Sequence, residues 1–176
     1  MGDAINGIEF WQKHHKYQSF SGWCGVAVVQ MVLFASGINR PQWLIAKDIL
    51  KSWWGVSHQL ILAYLSRYFK LVNYKNSATL KDIKYHLDKG HIVVVNWWDN
   101  IEDENIGDGH YSIVAEYRNK KITLVDPSKE RNGFCELSSN EFLSHWYDYV
   151  DTRNHTYVSG WMLWVKPESK ITKRGK

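Results

Sequence analysis

A cysteine near the start of the chain stands in a position that favours nucleophilic chemistry. Cys24 directly precedes residues 26–34, which are apolar almost all round and predict a buried helix. At a helix start, unpaired backbone N–H groups and the positive end of the helix dipole stabilise a thiolate, the nucleophilic form of the side chain. Considered alone, Cys24 is explained equally well as an inert core thiol, because free cysteines are among the most buried residues.

A histidine and an aspartate stand at the ends of two neighbouring predicted strands. His110 follows a glycine-rich segment at the start of a strand, and Asp126 ends a later strand directly before Pro127. If the two strands pair through a turn at residues 119–120, their far ends meet, and Asp126 can orient His110 as the base for Cys24. In isolation, a strand-end histidine and a turn-forming aspartate are the simpler interpretations.

A glutamine upstream of the cysteine completes the candidate set. Gln18 lies six residues before Cys24. Its carboxamide N–H, together with the backbone N–H of Cys24, could stabilise an oxyanion formed on attack. The candidate substrate groove consists of Gly22, Trp23, Trp97, Trp98 and Gly109, although core packing explains the tryptophans equally well.

The elements that must position these residues change in type at about residue 90. Helical patterns cover 26–34, 42–51 after Pro41, 59–69 after the N-cap Ser57, and 80–87 after the N-cap Thr79, with Gly90 at its end. Strand patterns cover 91–98, 110–117, 121–126 and 157–165, and a short helix is predicted at 139–146. Helices followed by strands predict an α+β fold, in which a helical half packs on an antiparallel sheet with the active site between them.

Composition limits the remaining possibilities. The 176 residues are 44% hydrophobic and 23% charged, which predicts one globular domain: a helical half at about 8–90, a β half at about 91–166 and a flexible tail at 167–176. A net charge of +4 without a basic stripe does not favour nucleic-acid binding. The two cysteines form no Cys-x-x-Cys pair, and no leader or membrane-spanning stretch is recognised, so we expect a reduced, cytoplasmic protein.

No cofactor or metal is predicted. The pair His14–His15 lacks companion ligands at metal-binding spacing, and no glycine-rich phosphate-binding motif occurs. The oligomeric state is left open by the sequence.

The combined motifs resemble a known family. Gln18-x5-Cys24-Gly25 before an apolar helix, Gly109-His110-Tyr111 at a strand start, and a strand ending in Asp126-Pro127 closely resemble the papain-like cysteine peptidases of bacteriocin export. In that family, a peptidase domain on an ABC transporter removes leader peptides that end in a double glycine. The resemblance covers about residues 15–128 and implies a papain-like fold, with Cys24 as nucleophile, His110 as base, Asp126 as orienting residue and Gln18 at the oxyanion hole.

This chain differs from the best-known members of the family. It contains no Gly-x-x-x-x-Gly-Lys-[Ser/Thr] motif of an ATPase, which predicts a free-standing relative, and the double-glycine specificity does not transfer with the resemblance. The acidic segment 99–109 could form a rim that favours a positively charged substrate, but a solvated loop explains it more simply.

Together, the residues and the resemblance predict a cysteine peptidase or related acyl-transfer enzyme that acts on a peptide or protein. Cys24 attacks an amide carbonyl, and water or an amine resolves the resulting thioester. One alternative is a transferase on the same scaffold, like the phytochelatin synthases, that passes the acyl group to an amine or thiol. The other is a non-catalytic pseudo-peptidase that binds a peptide.

Overall fold

The computed structural model describes residues 6–51, 55–99, 109–151 and 156–171. Within these ranges the helices are α1 (Ile8–His14), α2 (Cys24–Ala35), α3 (Gln42–Ile49), α4 (His58–Leu65), α5 (Leu80–Asp88) and α6 (Ser139–His145). The strands are β1 (Val72–Lys75), β2 (Ile92–Trp98), β3 (Gly109–Arg118), β4 (Lys121–Val125), β5 (Phe134–Ser138), β6 (Tyr147–Asp151), β7 (Thr156–Ser159) and β8 (Met162–Val165). None of the helices in these ranges combines the length and apolar character that a membrane crossing needs.

Six of these strands form one antiparallel sheet in the order β1-β8-β2-β3-β4-β5, and β6 pairs only with β7. Every residue of β2 is buried, as expected for a continuous apolar strand in the middle of a sheet. Asn119 and Lys120 form the turn between β3 and β4, with φ angles of 53° and 59°. Positive φ at both positions is typical of a tight two-residue hairpin turn, which brings the end of β4 back beside the start of β3.

Helices cover both faces of the sheet. Alternate residues of β2 contribute to two separate cores, because side chains along a strand point to opposite faces: Val94 packs with α1 to α4, whereas Val93 and Val95 pack with α5 and α6. Residues 24–29 and 31–33 of α2 are all buried, as its apolar sequence predicted. The predicted α+β architecture, with helices packed on an antiparallel sheet, is confirmed.

Side-chain caps fix where several helices begin. Thr79 and Asp82 form a reciprocal capping box at the start of α5, and Ser57 accepts a hydrogen bond from the backbone N–H of Leu60 at the start of α4. Three of the helices end earlier than the sequence predicted: α3 at Ile49, α4 at Leu65 and α6 at His145.

Two predictions about the sheet need correction. The strand expected at 157–165 is two strands, because Gly160 has a φ of 65° and breaks the extended chain; β7 then pairs with β6, and β8 enters the main sheet. The half predicted to be helical also contributes β1, a largely exposed edge strand that pairs with β8. Its short, polar sequence carries little strand signal.

Candidate active site

Cys24 is the first residue of α2, and 8% of its surface is exposed. The helix begins after Trp23, whose side chain makes no capping hydrogen bond, and the first turn contains no acidic residue. The helix dipole therefore acts on Cys24 without a competing carboxylate in that turn.

His110 lies between Cys24 and Asp126. Its Nε2 is 2.9 Å from Oδ1 of Asp126, and Cys24 lies close enough to act on the ring electrostatically. Burial by itself lowers the pKa of His110, but the hydrogen bonds and charges of Asp126 and Cys24 outweigh burial and raise this pKa from 6.5 to about 10. At neutral pH the ring is therefore an imidazolium, and a protonated ring stabilises a thiolate on Cys24.

Asp126 follows β4 directly and is completely buried. Besides His110, its Oδ1 accepts a hydrogen bond from the backbone N–H of Ser128 at 2.7 Å. Its Oδ2 accepts a hydrogen bond from the hydroxyl of Ser112 at 3.4 Å, and its backbone carbonyl oxygen is 2.8 Å from Nε2 of His15. These contacts hold the carboxylate in one orientation towards His110.

Arg131 is a further contact of Asp126 that the sequence reasoning missed. Its Nε lies 3.5 Å from Oδ2 of Asp126, and its guanidinium group lies over the ring of Trp97, 5.1 Å from the centroid. It also donates a hydrogen bond to the backbone carbonyl of Asp99. Arg131 lies five residues after Asp126, at the end of a short 3-10 turn over Lys129–Arg131 that returns it to the carboxylate.

Gln18 is fixed in the loop before α2 by contacts on both sides. Its backbone N–H donates to the carbonyl oxygen of Pro127 at 2.8 Å, which ties the loop to the residue after Asp126. Gln42, at the start of α3, accepts a hydrogen bond from the N–H of Ser19 at 2.9 Å and donates one to the carbonyl of Tyr17 at 2.8 Å. Gln42 is a second residue that the sequence reasoning missed.

The side-chain oxygen of Gln18 is buried and has no hydrogen-bond partner in the described part of the chain. This oxygen is an acceptor, so the oxyanion role predicted for Gln18 would depend on the N–H groups of its Nε2.

Tyr111 fixes α2 on the sheet. A Cβ atom at Gly25 would lie 3.2 Å from Cδ2 of Tyr111 and 3.2 Å from Cβ of Val56, so a larger residue there would require these neighbours to shift by a few tenths of an ångström. The hydroxyl of Tyr111 donates a hydrogen bond to the backbone carbonyl of Val56 at 3.0 Å. The residue after the candidate nucleophile is thus packed against the residue after the candidate base.

The residues predicted to line a groove lie in different environments. Trp97 is fully buried behind His110, with ring centroids 6.1 Å apart, and its indole N–H donates to Ser112. Trp98 is 8% exposed and stacks on Tyr147. The three others lie nearer the surface: Trp23 is half-buried beside Phe20, Gly22 is half-buried with a φ of 74°, and Gly109 is half-buried beside Asp148.

The remaining predictions concern the acidic segment 99–109 and metal binding. Residues 100–108 of the acidic segment lie outside the described ranges, and within those ranges no three metal-ligating side chains are grouped to hold an ion. His15, part of the pair considered for metal binding, contacts the backbone of Asp126.

Chemically, the arrangement provides a thiol at a helix start, a buried imidazolium, a carboxylate that orients it, and a carboxamide next to the loop that follows the carboxylate. These are the components of nucleophilic acyl transfer.

Comparisons with solved structures place the fold. The chain is similar to the peptidase domain of Streptococcus ComA, a bifunctional ABC transporter of a quorum-sensing pathway, with 14% identity over 85% of this chain and 96% of that one and a TM-score of 0.62. It is similar to a C39-like peptidase from Bacillus anthracis, with 15% identity, 92% and 95% coverage and a TM-score of 0.63. A double glycine motif protease from an AMS/PCAT transporter, solved with the leader peptide, matches with 17% identity, 90% and 91% coverage and a TM-score of 0.60.

No curated protein is similar enough to register as a match. The model of the Peptidase_C39 like family, in contrast, matches residues 6–154, which is most of the chain. The chain therefore belongs to the Peptidase_C39 like family, and its fold is that of the papain-like C39 peptidase domains.

Proposed function

We propose that this protein is a cysteine peptidase that cleaves a peptide or amide bond through a thioester on Cys24. The observation that carries the proposal is the buried His110, which hydrogen-bonds to Asp126, interacts electrostatically with Cys24 and has a pKa raised to about 10. A buried imidazolium held between a thiol and a carboxylate is the arrangement that activates a cysteine nucleophile.

In the proposed reaction, the Cys24 thiolate attacks the carbonyl carbon of the substrate. The side chain of Gln18 and the backbone N–H of Cys24 stabilise the oxyanion. His110 then gives its proton to the leaving amine, the C–N bond breaks and the thioester remains. Neutral His110 next takes a proton from water, which attacks the thioester and releases the acid and the Cys24 thiolate. Asp126 orients the ring throughout.

A peptide or protein is the proposed substrate. The protease from the AMS/PCAT transporter binds a leader peptide on the same fold, which supports a peptide ligand for this chain. Its double-glycine preference is not transferred at 17% identity.

The proposal is tested by trapping the thioester. The protein is incubated with a peptide library and quenched in acid, and the intact mass is measured together with the cleavage products. We expect an acyl adduct on Cys24 and cleaved peptides, neither of which forms with Cys24→Ala. The matched variant Cys135→Ala removes the other thiol of the chain and should retain both signals.

Cleavage that persists in Cys24→Ala would contradict the proposal, as would the absence of any adduct and any product. The same experiment with an added primary amine or thiol identifies the transferase alternative, in which product forms only when the acceptor is present.

A further inference from the structure

The β6–β7 hairpin packs beside the candidate active site. Trp98, at the end of β2, stacks on Tyr147 with ring centroids 5.8 Å apart and contacts Tyr149 edge-on at 5.2 Å. In the main sheet, Trp98 pairs with Gly109, the residue before His110. These aromatic contacts therefore hold β6 at the end of the sheet where the catalytic residues lie.

This hairpin brings a carboxylate to the site. The side chain of Asp148 lies so close to Gly109 that a Cβ atom there would overlap its carboxylate group. The pKa of Tyr111 is raised well above its usual value by burial, and the charges of Asp148 and Cys24 raise it further. Asp148 and Cys24 are thus both near the same phenol ring.

A small cavity lies beside Val158, the cross-strand neighbour of Asp148. In the β6–β7 pairing, Asp148 is directly opposite Val158, so their side chains share one face of the hairpin. Val158 lines a cavity of about 150 Å³ together with His58, Leu62, Tyr74 and Trp161, among others.

The aromatic ring of Tyr111 contacts both the cavity and the residue next to Cys24. His58 stacks on Trp161 with ring centroids 4.1 Å apart, and Tyr111 contacts both rings edge-on, at 5.7 Å and 5.8 Å. The other side of Tyr111 packs on Gly25, next to Cys24. The ring of Tyr111 therefore lies between this cavity and Gly25, the residue that follows Cys24.

The residues that line the cavity indicate which kind of substrate side chain it can bind. A volume of 150 Å³ suits a single side chain, and aromatic walls attract cations as well as aliphatic groups. Burial lowers the pKa of His58 to about 4, so this ring is neutral at pH 7 and does not repel a cation. The described residues that line the cavity include no lysine or arginine.

We propose that the cavity and Asp148 together form a specificity subsite for a lysine or arginine side chain of the substrate. The aliphatic stem lies along Leu62 and Val158, and the cationic group pairs with Asp148. This inference rests on the proposed function, because it names the substrate class of that same site.

The test uses acetylated tetra-alanyl chloromethyl ketones in which one alanine at a time is replaced by lysine, norleucine or glutamate. The rate constant for alkylation of Cys24 is measured by mass spectrometry. At one peptide position we expect the lysine probe to react about tenfold or more faster than the norleucine probe, and the glutamate probe to be slowest. Asp148→Asn should abolish the difference, whereas Asp88→Asn, on the exposed surface of α5, should retain it.

Equal rates for lysine and norleucine at every position, or a lysine preference that survives in Asp148→Asn, would overturn the subsite. Iodoacetamide, which needs no subsite, separates this result from a failure of the proposed function. If iodoacetamide alkylates Cys24 readily while the peptide probes show no preference, only the subsite is wrong. If iodoacetamide leaves Cys24 unmodified, the proposed function is wrong, and the subsite falls with it.

Discussion

A protonated imidazole inside a protein needs a partner at each of its two nitrogen atoms. His110 has Asp126 at Nε2, and Cys24 also acts on its ring electrostatically. Without these partners the ring would be neutral, because burial alone lowers the pKa of a histidine. The charge state of the site therefore depends on the residues that hold Asp126 in place.

Gln18→Ala should separate oxyanion stabilisation from thiol reactivity. We expect peptide turnover to fall by about a hundredfold or more, because one oxyanion donor is lost. Alkylation of Cys24 by iodoacetamide should be unchanged, because that displacement forms no oxyanion. An equal loss of both rates would instead assign Gln18 a structural role. Gln42→Leu, which loses the bonds to the backbone of Tyr17 and Ser19, should give a smaller loss of turnover.

Arg131→Met should lower turnover without weakening substrate binding. Methionine keeps most of the packing on Trp97 but loses the charged contact with Asp126. We expect kcat to fall by about tenfold, with KM little changed, because Arg131 acts through Asp126 and touches no substrate. Arg131→Lys should restore part of the rate because it retains the charge. A change in KM alone would contradict this role.

At the scale of elements, the site depends on how closely α2 approaches β3. The contact between Gly25 and Tyr111 sets the height of Cys24 above the sheet. Ridges of larger side chains normally keep a helix further from a sheet, so a glycine here moves the nucleophile closer to the strand that carries His110.

Gly25→Ala should therefore reduce reactivity as well as stability. The added methyl group forces Tyr111, Val56 or the helix to shift, at a cost of about 1–2 kcal/mol in the free energy of unfolding. We expect slower alkylation of Cys24 by iodoacetamide. Gly90→Ala is the matched control: it strains a backbone with a φ of 69° in open space and should lower stability while leaving the alkylation rate unchanged. Equal alkylation rates in both variants would contradict the role of Gly25.

Elements with local signals were predictable from the sequence. The apolar α2, the capped α4 and α5, the buried β2 and the β3–β4 hairpin each follow from a pattern within about ten residues. The pairing of that hairpin also explains why His110 and Asp126 could be placed together. Their catalytic roles, and that of Cys24, stay predictions until activity is measured.

The parts that were missed depend on long-range contacts. β1 becomes a strand because β8 offers it an edge, and the β6–β7 hairpin is stabilised by Trp98 from a distant strand. Gln42 reaches the loop of Gln18 only after α3 is in place, whereas Arg131 is the exception, because a short turn returns it to Asp126 five residues earlier. No spacing rule within the sequence relates these residues to the motif around Cys24.

For the whole molecule, acid stability is set by histidines that the fold keeps neutral. His58 and His86 both have pKa values lowered to about 4 by burial. A group with a lowered pKa in the folded state contributes stability that is present above its unfolded pKa of about 6.5 and is lost as pH falls through the folded value. The protein should therefore become less stable between pH 6.5 and 4.

His58→Phe should reduce this loss. Phenylalanine can keep the stacking on Trp161 but has no proton to bind. The free energy of unfolding is measured by urea denaturation at pH 7 and at pH 4. We expect its decrease between these pH values to be about 2–3 kcal/mol smaller in His58→Phe than in the wild-type protein. Identical losses in the two proteins would show that His58 is not protonated on unfolding in this range.

The most direct test of the central claim is the rate at which iodoacetamide alkylates Cys24 at pH 6. Cys135 serves as the internal control, because burial raises its pKa and keeps its thiol protonated. If His110 is an imidazolium that stabilises the thiolate, Cys24 should react at least about a hundredfold faster than Cys135 at pH 6. In His110→Ala at pH 6, the alkylation rate at Cys24 should fall towards that of Cys135, because the imidazolium is lost. Equal rates at the two cysteines, or a Cys24 rate that His110→Ala leaves unchanged, would contradict the account.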